Sequence, residues 1–321
     1  MNKIAMAQAV QNACRKKFRG RENLVSKVAP HYPANLEREY MRITNAYMAL
    51  LNQILQAHLP IIRQAITAER ERVQREANMR HDTSESDYGV YEIIADTFVQ
   101  IAAIFEERVL SFGLRNRLIA LADQVRRRSI RDWRRIVRRT LGIDIMQDYF
   151  MGEFYRKALT LWGVTNVDLI KTIPKNALVA MQNIVLDGWR QGISNTTIGK
   201  QIQEAYGIHR RRAYFIARDQ MAKLNADLSQ AQQQDAGVKE YIWSTSGDER
   251  VRGNPKGKWA NSSGNHYKLD GKRFSWNDPP EVDRRTGRKA HPGQDYQCRC
   301  VPRPVFNLPG LSLPWEKGVE L

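Results

Sequence analysis

The chain has 321 residues, 42% hydrophobic and 26% charged, which excludes a disordered polypeptide and leaves room for two domains or one large one. No apolar run approaches the roughly 18–20 residues that span a bilayer, and three cysteines, with Cys14 far from the other two, exclude a disulfide framework. With 51 Lys and Arg against 34 Asp and Glu, the net charge of +17 favours polyanionic partners: nucleic acid, an anionic membrane surface or an acidic protein face.

Residues 1–33 form a basic leader with Arg15, Lys16, Lys17, Arg19 and Arg21, closed by Pro30 and Pro33. It lacks the apolar core and cleavage site of a secretory signal, which places the newly made chain in a cytosol. A basic segment without a core of its own is expected to be a partly ordered arm that becomes fixed on assembly. From Leu36 to about Arg80, apolar residues recur at spacings of three and four, the mark of an amphipathic helix. Pro60 is expected to kink or break it, because proline deletes an amide donor and clashes with the preceding turn. His81 to Gly89 reads as a turn or loop. Val90 to Phe112 reads as a buried helix broken by Gly113.

Leu114 to Leu141 resumes the helical pattern, with Ile130, Trp133, Val137 and Leu141 on one side. Its other side holds Arg126, Arg127, Arg128, Arg131, Arg134, Arg135, Arg138 and Arg139, opposed within that stretch by Asp132. Two readings stand. The run is a solvated face answering acidic residues elsewhere, or it is a contact for nucleic acid or an acidic partner, whose phosphates or carboxylates match the guanidinium fork. Beyond Gly142, helices are expected over Asp148 to Trp162, Asn176 to Gly192, Ser194 to Tyr206 and His209 to Ala236. Gly163, Gly192, Gly207 and Gly237 serve as stops, and Thr165 to Asp168 and Ser194 to Thr197 as caps.

From Val238 the composition changes to frequent turns and short strands: Val238 to Trp243, then Lys272 to Trp276 after an Asp270-Gly271 turn. The fold class expected is α+β, with a mostly helical N-terminal region and a small mixed, turn-rich C-terminal unit. The divisions are an arm at 1–33, a helical assembly domain at 34–163, and a helical lead-in at 164–237. A compact α+β core follows at 238–305, then a tail at 306–321 with exposed-looking leucines.

That core concentrates the chemistry. His266, His291, Cys298 and Cys300 are candidate zinc ligands, since imidazole and thiolate suit zinc and a turn-rich unit gains most from a metal staple. A C-x-C spacing in an extended strand points both thiols to one side. The competing reading makes both cysteines small buried residues, with the histidines hydrogen-bonded in the fold. Asp248, Arg250, Arg252, Asp270 and Arg299 form a polar cluster that orders the turns through salt bridges, Asp248–Arg250 or Asp248–Arg299 among them. No Gly-rich phosphate loop, Ser-His-Asp order or H-E-x-x-H helix is present, and no catalytic residue is assigned.

The last third of the chain resembles the phage minor head proteins related to protein F of phage Mu, also called head morphogenesis proteins. The resemblance rests on I-A-R-D-Q-M-A-K-L-N at Ile216 to Asn225, A-G-V at Ala236 to Val238, Y-I-W-S-T, D-E-R-V-R and His266. It continues through L-D-G-K-R-F, D-P-P and H-P-G-Q-D-Y-Q-C-R-C. Many relatives carry C-x-x-C just after D-x-R-V, where this chain has Arg252-Gly253-Asn254-Pro255, and the stretch from Gly253 to Asn265 is longer and more polar than expected. The resemblance implies a low-copy virion protein at the portal vertex or inner shell of the prohead, present in the host cytoplasm during assembly. Portal protein, major capsid or scaffolding protein and phage double-stranded DNA are its implied partners, with no membrane. The rival reading is a metal-dependent nuclease or DNA-processing protein using His266, His291, Asp248 and Asp270, which could polarise a phosphate and position water. A free nucleic-acid-binding regulator lacks any helix-turn-helix or finger spacing.

Overall fold

The computed structural model describes residues 3–78, 87–145 and 153–313. Its helices are α1 (Lys3–Lys17), α2 (Ala34–Asn78), α3 (Asp87–Phe112), α4 (Leu114–Leu141), α5 (Glu153–Arg190), α6 (Asn195–Asp235) and the short α7 (His266–Leu269). Its strands are β1 (Asn23–Val25), β2 (Glu240–Ser244), β3 (Arg273–Ser275), β4 (Glu281–Asp283), β5 (Arg288–Lys289) and β6 (Val301–Asn307). The fold class is α+β, with helices first and a small antiparallel sheet after them.

Contacts divide the chain into two compact units that are each discontinuous in sequence. One comprises Met1–Arg38, Ile119–Trp162 and Arg218–Leu321, the other Glu39–Leu118 and Gly163–Ala217. This differs from sequential domains with borders near 33, 163 and 237, because packing groups segments that are remote along the chain.

The second unit is helical. Tyr47 lies against Phe105 and Phe112, with ring centroids 5.4 and 5.6 Å away. The buried Tyr40 hydroxyl donates to Asn166 Oδ1 at 2.6 Å, and Asn45 Nδ2 donates to the Tyr214 hydroxyl at 2.7 Å.

Several expected breaks do not occur. Pro60 lies inside α2, where Leu51, Leu55, Leu59, Ile62 and Ile66 form one buried stripe on both sides of it. Pro60 itself is exposed, so solvent can take the carbonyl its missing N–H leaves unpaired. Gly163 and Pro174 lie inside α5, so the cap expected at Thr165 to Asp168 is mid-helix, and Ile170, Ile173, Ala177, Met181 and Val185 are buried across the proline. Gly207 lies inside α6, which is one helix where two were expected. In each case an apolar stripe at helical spacing outweighs a local penalty of about 1 kcal/mol for glycine or 3 for proline. Parts of five expectations fall outside the described residues: 1–2 of the leader, 79–80 of the helix expected from Leu36, 81–86 of the loop, 148–152 of the helix expected from Asp148, and 314–321 of the tail.

The first unit is built on a four-stranded antiparallel sheet in the order β1-β6-β2-β3. Tyr241 pairs with Pro304 on one side and Phe274 on the other. Along β2, Tyr241 and Trp243 share one face and Ile242 takes the other, as the period of two requires. Phe306 of β6 stacks on Trp133 of α4 at 5.7 Å, a contact contributing about 0.5–1.5 kcal/mol beyond its burial.

The leader is not a loose arm. β1 adds to the edge of β6 in the register Asn23↔Asn307, Leu24↔Phe306 and Val25↔Val305. Val10 and Cys14 of α1 are buried, and Gln11 Nε2 donates to the Leu311 carbonyl at 2.9 Å. The strand covers an edge that β6 would otherwise leave unpaired. The tail expected from residue 306 begins inside β6, and Leu308, Leu311 and Leu313 are buried rather than exposed.

Gly237 ends α6 at φ +76, and a Cβ built there would lie 2.1 Å from the Gly310 carbonyl oxygen. Gly271, at φ +75 in the turn before β3, has no atom within 4 Å of that position. Gly271→Ala is expected to cost about 1–2 kcal/mol, the left-handed penalty alone, and Gly237→Ala clearly more. Urea unfolding midpoints at constant slope measure both; equal losses would contradict the close approach at Gly310.

Candidate metal centre and arginine face

The sequence nominated four metal ligands, and the structure brings three together. His266 Nδ1 lies 3.4 Å from Cys298 Sγ and 3.6 Å from Cys300 Sγ. The three ligand atoms all lie within 4.8 Å of one another, forming the group of His, Cys, Asp and Glu among the described residues that could hold a metal ion. All three residues are buried, and the Trp243 ring meets His266 edge-on at 5.6 Å. Cys298 and Cys300 precede β6 rather than lying in it, and Gln297 before them has φ 53. The thiols converge through this irregular segment, not through strand alternation. The Gly293 N–H donates to Cys298 Sγ at 3.4 Å.

His291 is not part of this group. Its Nδ1 is 2.9 Å from the Tyr241 hydroxyl, and its ring packs on Trp276 at a centroid distance of 4.8 Å. Burial holds its imidazole below the ordinary histidine range, as expected of a neutral core histidine.

Asp295, which the sequence did not single out, organises the centre. Its carboxylate accepts from His266 Nε2 at 2.9 Å, from Arg252 Nη1 at 2.6 Å, and from Arg288 Nη2 at 2.8 Å. Its side chain has no exposed surface. Burial opposes its ionisation, but the His266 hydrogen bond and the Arg252 charge hold its pKa down at about 2. An ionised carboxylate only accepts, so His266 Nε2 bears a proton and Nδ1 is the ring atom that faces the sulfurs. Burial also works against a charged His266, but Asp295 and Cys298 outweigh it and raise its pKa. Of the two thiols, Cys298 is the one driven towards thiolate: burial resists this, while its neighbours Cys300 and His266 favour it. Cys300 is pushed the opposite way by Cys298 and by burial. Asp295 was visible in H-P-G-Q-D-Y, but nothing local to that motif announces partners at positions 252, 266 and 288.

The proposed polar cluster separates into distinct contacts. Asp248 accepts from Arg299 Nη2 at 2.5 Å and pairs with Arg250 at 3.9 Å. Arg252 belongs to Asp295, and also donates to the Tyr296 carbonyl. Asp270 Oδ1 accepts the Thr245 N–H at 2.8 Å. The nuclease set of His266, His291, Asp248 and Asp270 thus makes four different attachments and no common ligand group among the described residues.

In α4 the apolar side is buried at Val125, Trp133, Val137 and Leu141. Several of its arginines are paired. Asp123 takes Arg126 and Arg127, Asp132 takes Arg135, Asp144 takes Arg134, and Arg128 donates to Asn35. Arg131, Arg138 and Arg139 are exposed and have no acidic partner among the described residues. They line an open groove of about 830 Å³ together with Arg134, Arg135 and Asp144. Local neutralisation and a free cationic surface therefore coexist on one helix, divided residue by residue.

Residues 180–303 match the family described as Phage Mu protein F like protein. A Haemophilus influenzae protein described as uncharacterized is 39% identical over 143 residues, covering 44% of this chain and 28% of its own length. The chain therefore spans less than a third of the curated relative it matches. No solved structure matches the chain. The matched region contains β2 to β5, α7, both cysteines and Asp295. No helix among the described residues is long and apolar enough to cross a membrane.

Burial would raise the Asp248 carboxyl, but Arg299 and then Arg250 overrule it and hold it below the usual range. A depressed carboxylate contributes stability above its unfolded pKa of about 3.9 and loses it as pH falls through the folded value. Asp248→Asn should therefore destabilise at pH 7, with the deficit shrinking below about pH 4. Denaturant titrations at several pH values would show this, and a deficit unchanged down to pH 2 would contradict the pairing.

Proposed function

We propose, from the Mu F-like region at residues 180–303, that this chain is a phage head morphogenesis protein: a minor capsid component of the virion. The family match is the observation that carries this reading. Low copy number and a place at the portal vertex or inner shell follow from what such proteins do, with portal and capsid or scaffolding proteins as partners. The function proposed is structural and not enzymatic. The dispersal of His266, His291, Asp248 and Asp270 into separate contacts supports this over the nuclease alternative, which needs carboxylate and imidazole around one ion.

A second observation favours contact with packaged double-stranded DNA. Arg131, Arg138 and Arg139 are exposed, lack acidic partners among the described residues and line one groove. Residues 131 and 138 lie two helical turns apart, about 10.5 Å along the axis. A row of unneutralised guanidinium groups suits the regular phosphates of a duplex, and such binding is salt-dependent through counterion release.

Quantitative mass spectrometry of proheads and mature particles, with crosslinking to the portal, tests the assembly reading. A few copies per particle with portal crosslinks are expected; absence from both particles would sink it. For the DNA contact, duplex binding is measured against salt for wild type and for a triple Arg131→Ala, Arg138→Ala, Arg139→Ala variant. Loss of three phosphate contacts should make the slope of log K against log salt shallower by up to about 2.7. An unchanged slope would move the duplex elsewhere on the protein.

A further inference from the structure

We propose that His266, Cys298 and Cys300 bind one zinc ion, through imidazole Nδ1 and both sulfurs, with Asp295 as the residue that positions the imidazole. The inference rests on the geometry of this centre and stands whether or not the protein is part of a virion.

The two sulfur–nitrogen separations are those zinc requires. Tetrahedral coordination with Zn–S near 2.3 Å and Zn–N near 2.0–2.1 Å puts sulfur and nitrogen about 3.6 Å apart. The two separations here are 3.4 and 3.6 Å. The donor types agree, since paired thiolates with imidazole select a borderline-soft ion over magnesium or calcium, which take oxygen.

The surroundings agree as well. A metal-bound histidine characteristically donates its other ring N–H to a carboxylate, which fixes its tautomer and strengthens the ligand. His266 Nε2 has that partner in Asp295, which Arg252 and Arg288 hold from other segments. Two buried thiolates would be costly on their own, and a divalent cation neutralises both. Among the described residues no further His, Cys, Asp or Glu joins the group, leaving the fourth position to a ligand such as water. The metal would tie α7 to a segment some thirty residues onward, Cys298 being 32 residues from His266, and so contribute folding free energy to a turn-rich unit.

A cysteine nucleophile with a His–Asp relay shares this connectivity. Two features favour the metal. Both sulfurs approach one nitrogen, where a relay needs a single thiol, and the thiol-bearing residues are only 3% and 7% exposed, which leaves a nucleophile no access to a substrate.

The full chain, produced with added zinc and freed of loose metal, is analysed for metal content and by X-ray absorption. The expected result is about one zinc per chain, with two sulfurs near 2.3 Å and nitrogen or oxygen near 2.0–2.1 Å. Cys298→Ser/Cys300→Ser should abolish the zinc, whereas His291→Ala should keep it. Asp295→Asn should weaken affinity by about 10–100-fold. Because the cysteine variant can fail by misfolding, wild type is also melted with a chelator and after zinc is restored, with a reversible fall in Tm expected. The proposal is overturned by wild type that neither retains zinc nor shifts its Tm with zinc or chelator, or by a cysteine-free variant that keeps its zinc. Rapid alkylation of Cys298 in the native chain, unaffected by zinc, would overturn it in favour of the nucleophile.

Discussion

A carboxylate with no exposed surface sets the terms for the C-terminal unit. An ionised group in the interior is tolerated only when its oxygens are fully engaged. Asp295 meets that condition through Arg252, His266 and Arg288, which come from the loop after β2, from α7 and from β5. A loop, a short helix and a short strand must therefore converge on one point. Removing one partner would strand charge, so the loops are held by electrostatic necessity rather than by regular hydrogen-bond ladders. The apolar cluster of Tyr241, Trp243, Leu269, Trp276, Val282, Cys298 and Cys300 completes the packing around them.

The sheet supplies the rigid base. β6 pairs with β1 on one side and β2 on the other, so a strand near residue 24 and one near 306 share a ladder. Gln233 of α6 links this base to its surroundings, donating to the Pro302 carbonyl at 2.8 Å and accepting from the Trp276 indole at 3.3 Å. α4 joins the base through Trp133 on Phe306 while turning Arg131, Arg138 and Arg139 outward. A period of 3.6 residues separates those two roles on one helix. An arginine surface set on a packed helix is better suited to a regular polyanion than a loose basic arm, because less side-chain and backbone order must be gained on binding.

Much of the fold was legible because it depends on local regularities. Apolar spacing marked α2, α3 and α4, and the Asp270-Gly271 turn announced β3. The misreadings share one cause. Proline and glycine were given their local cost at Pro60, Gly163 and Gly207, yet buried stripes spanning many turns kept those helices unbroken. The leader was misread for the complementary reason. Its strand β1 finds a pairing partner only in β6, some 280 residues away in sequence, as the Asn23–Asn307 contact shows.

The sequence by itself determined the inventory: which residue types could bind a metal, where the arginines lie, and the motifs of a Mu F-like region, since these depend on composition and short spacing. Only the tertiary structure decided how that inventory is used. It chose His266 over His291 as the partner of the two thiols, because Asp295 engages one ring and Tyr241 the other. It also sorted the arginines into those neutralised by Asp123, Asp132 and Asp144 and those, Arg131, Arg138 and Arg139, that are exposed without an acidic partner among the described residues. Such choices rest on distances between groups far apart in the chain, and neither residue periodicity nor motif spacing encodes those distances.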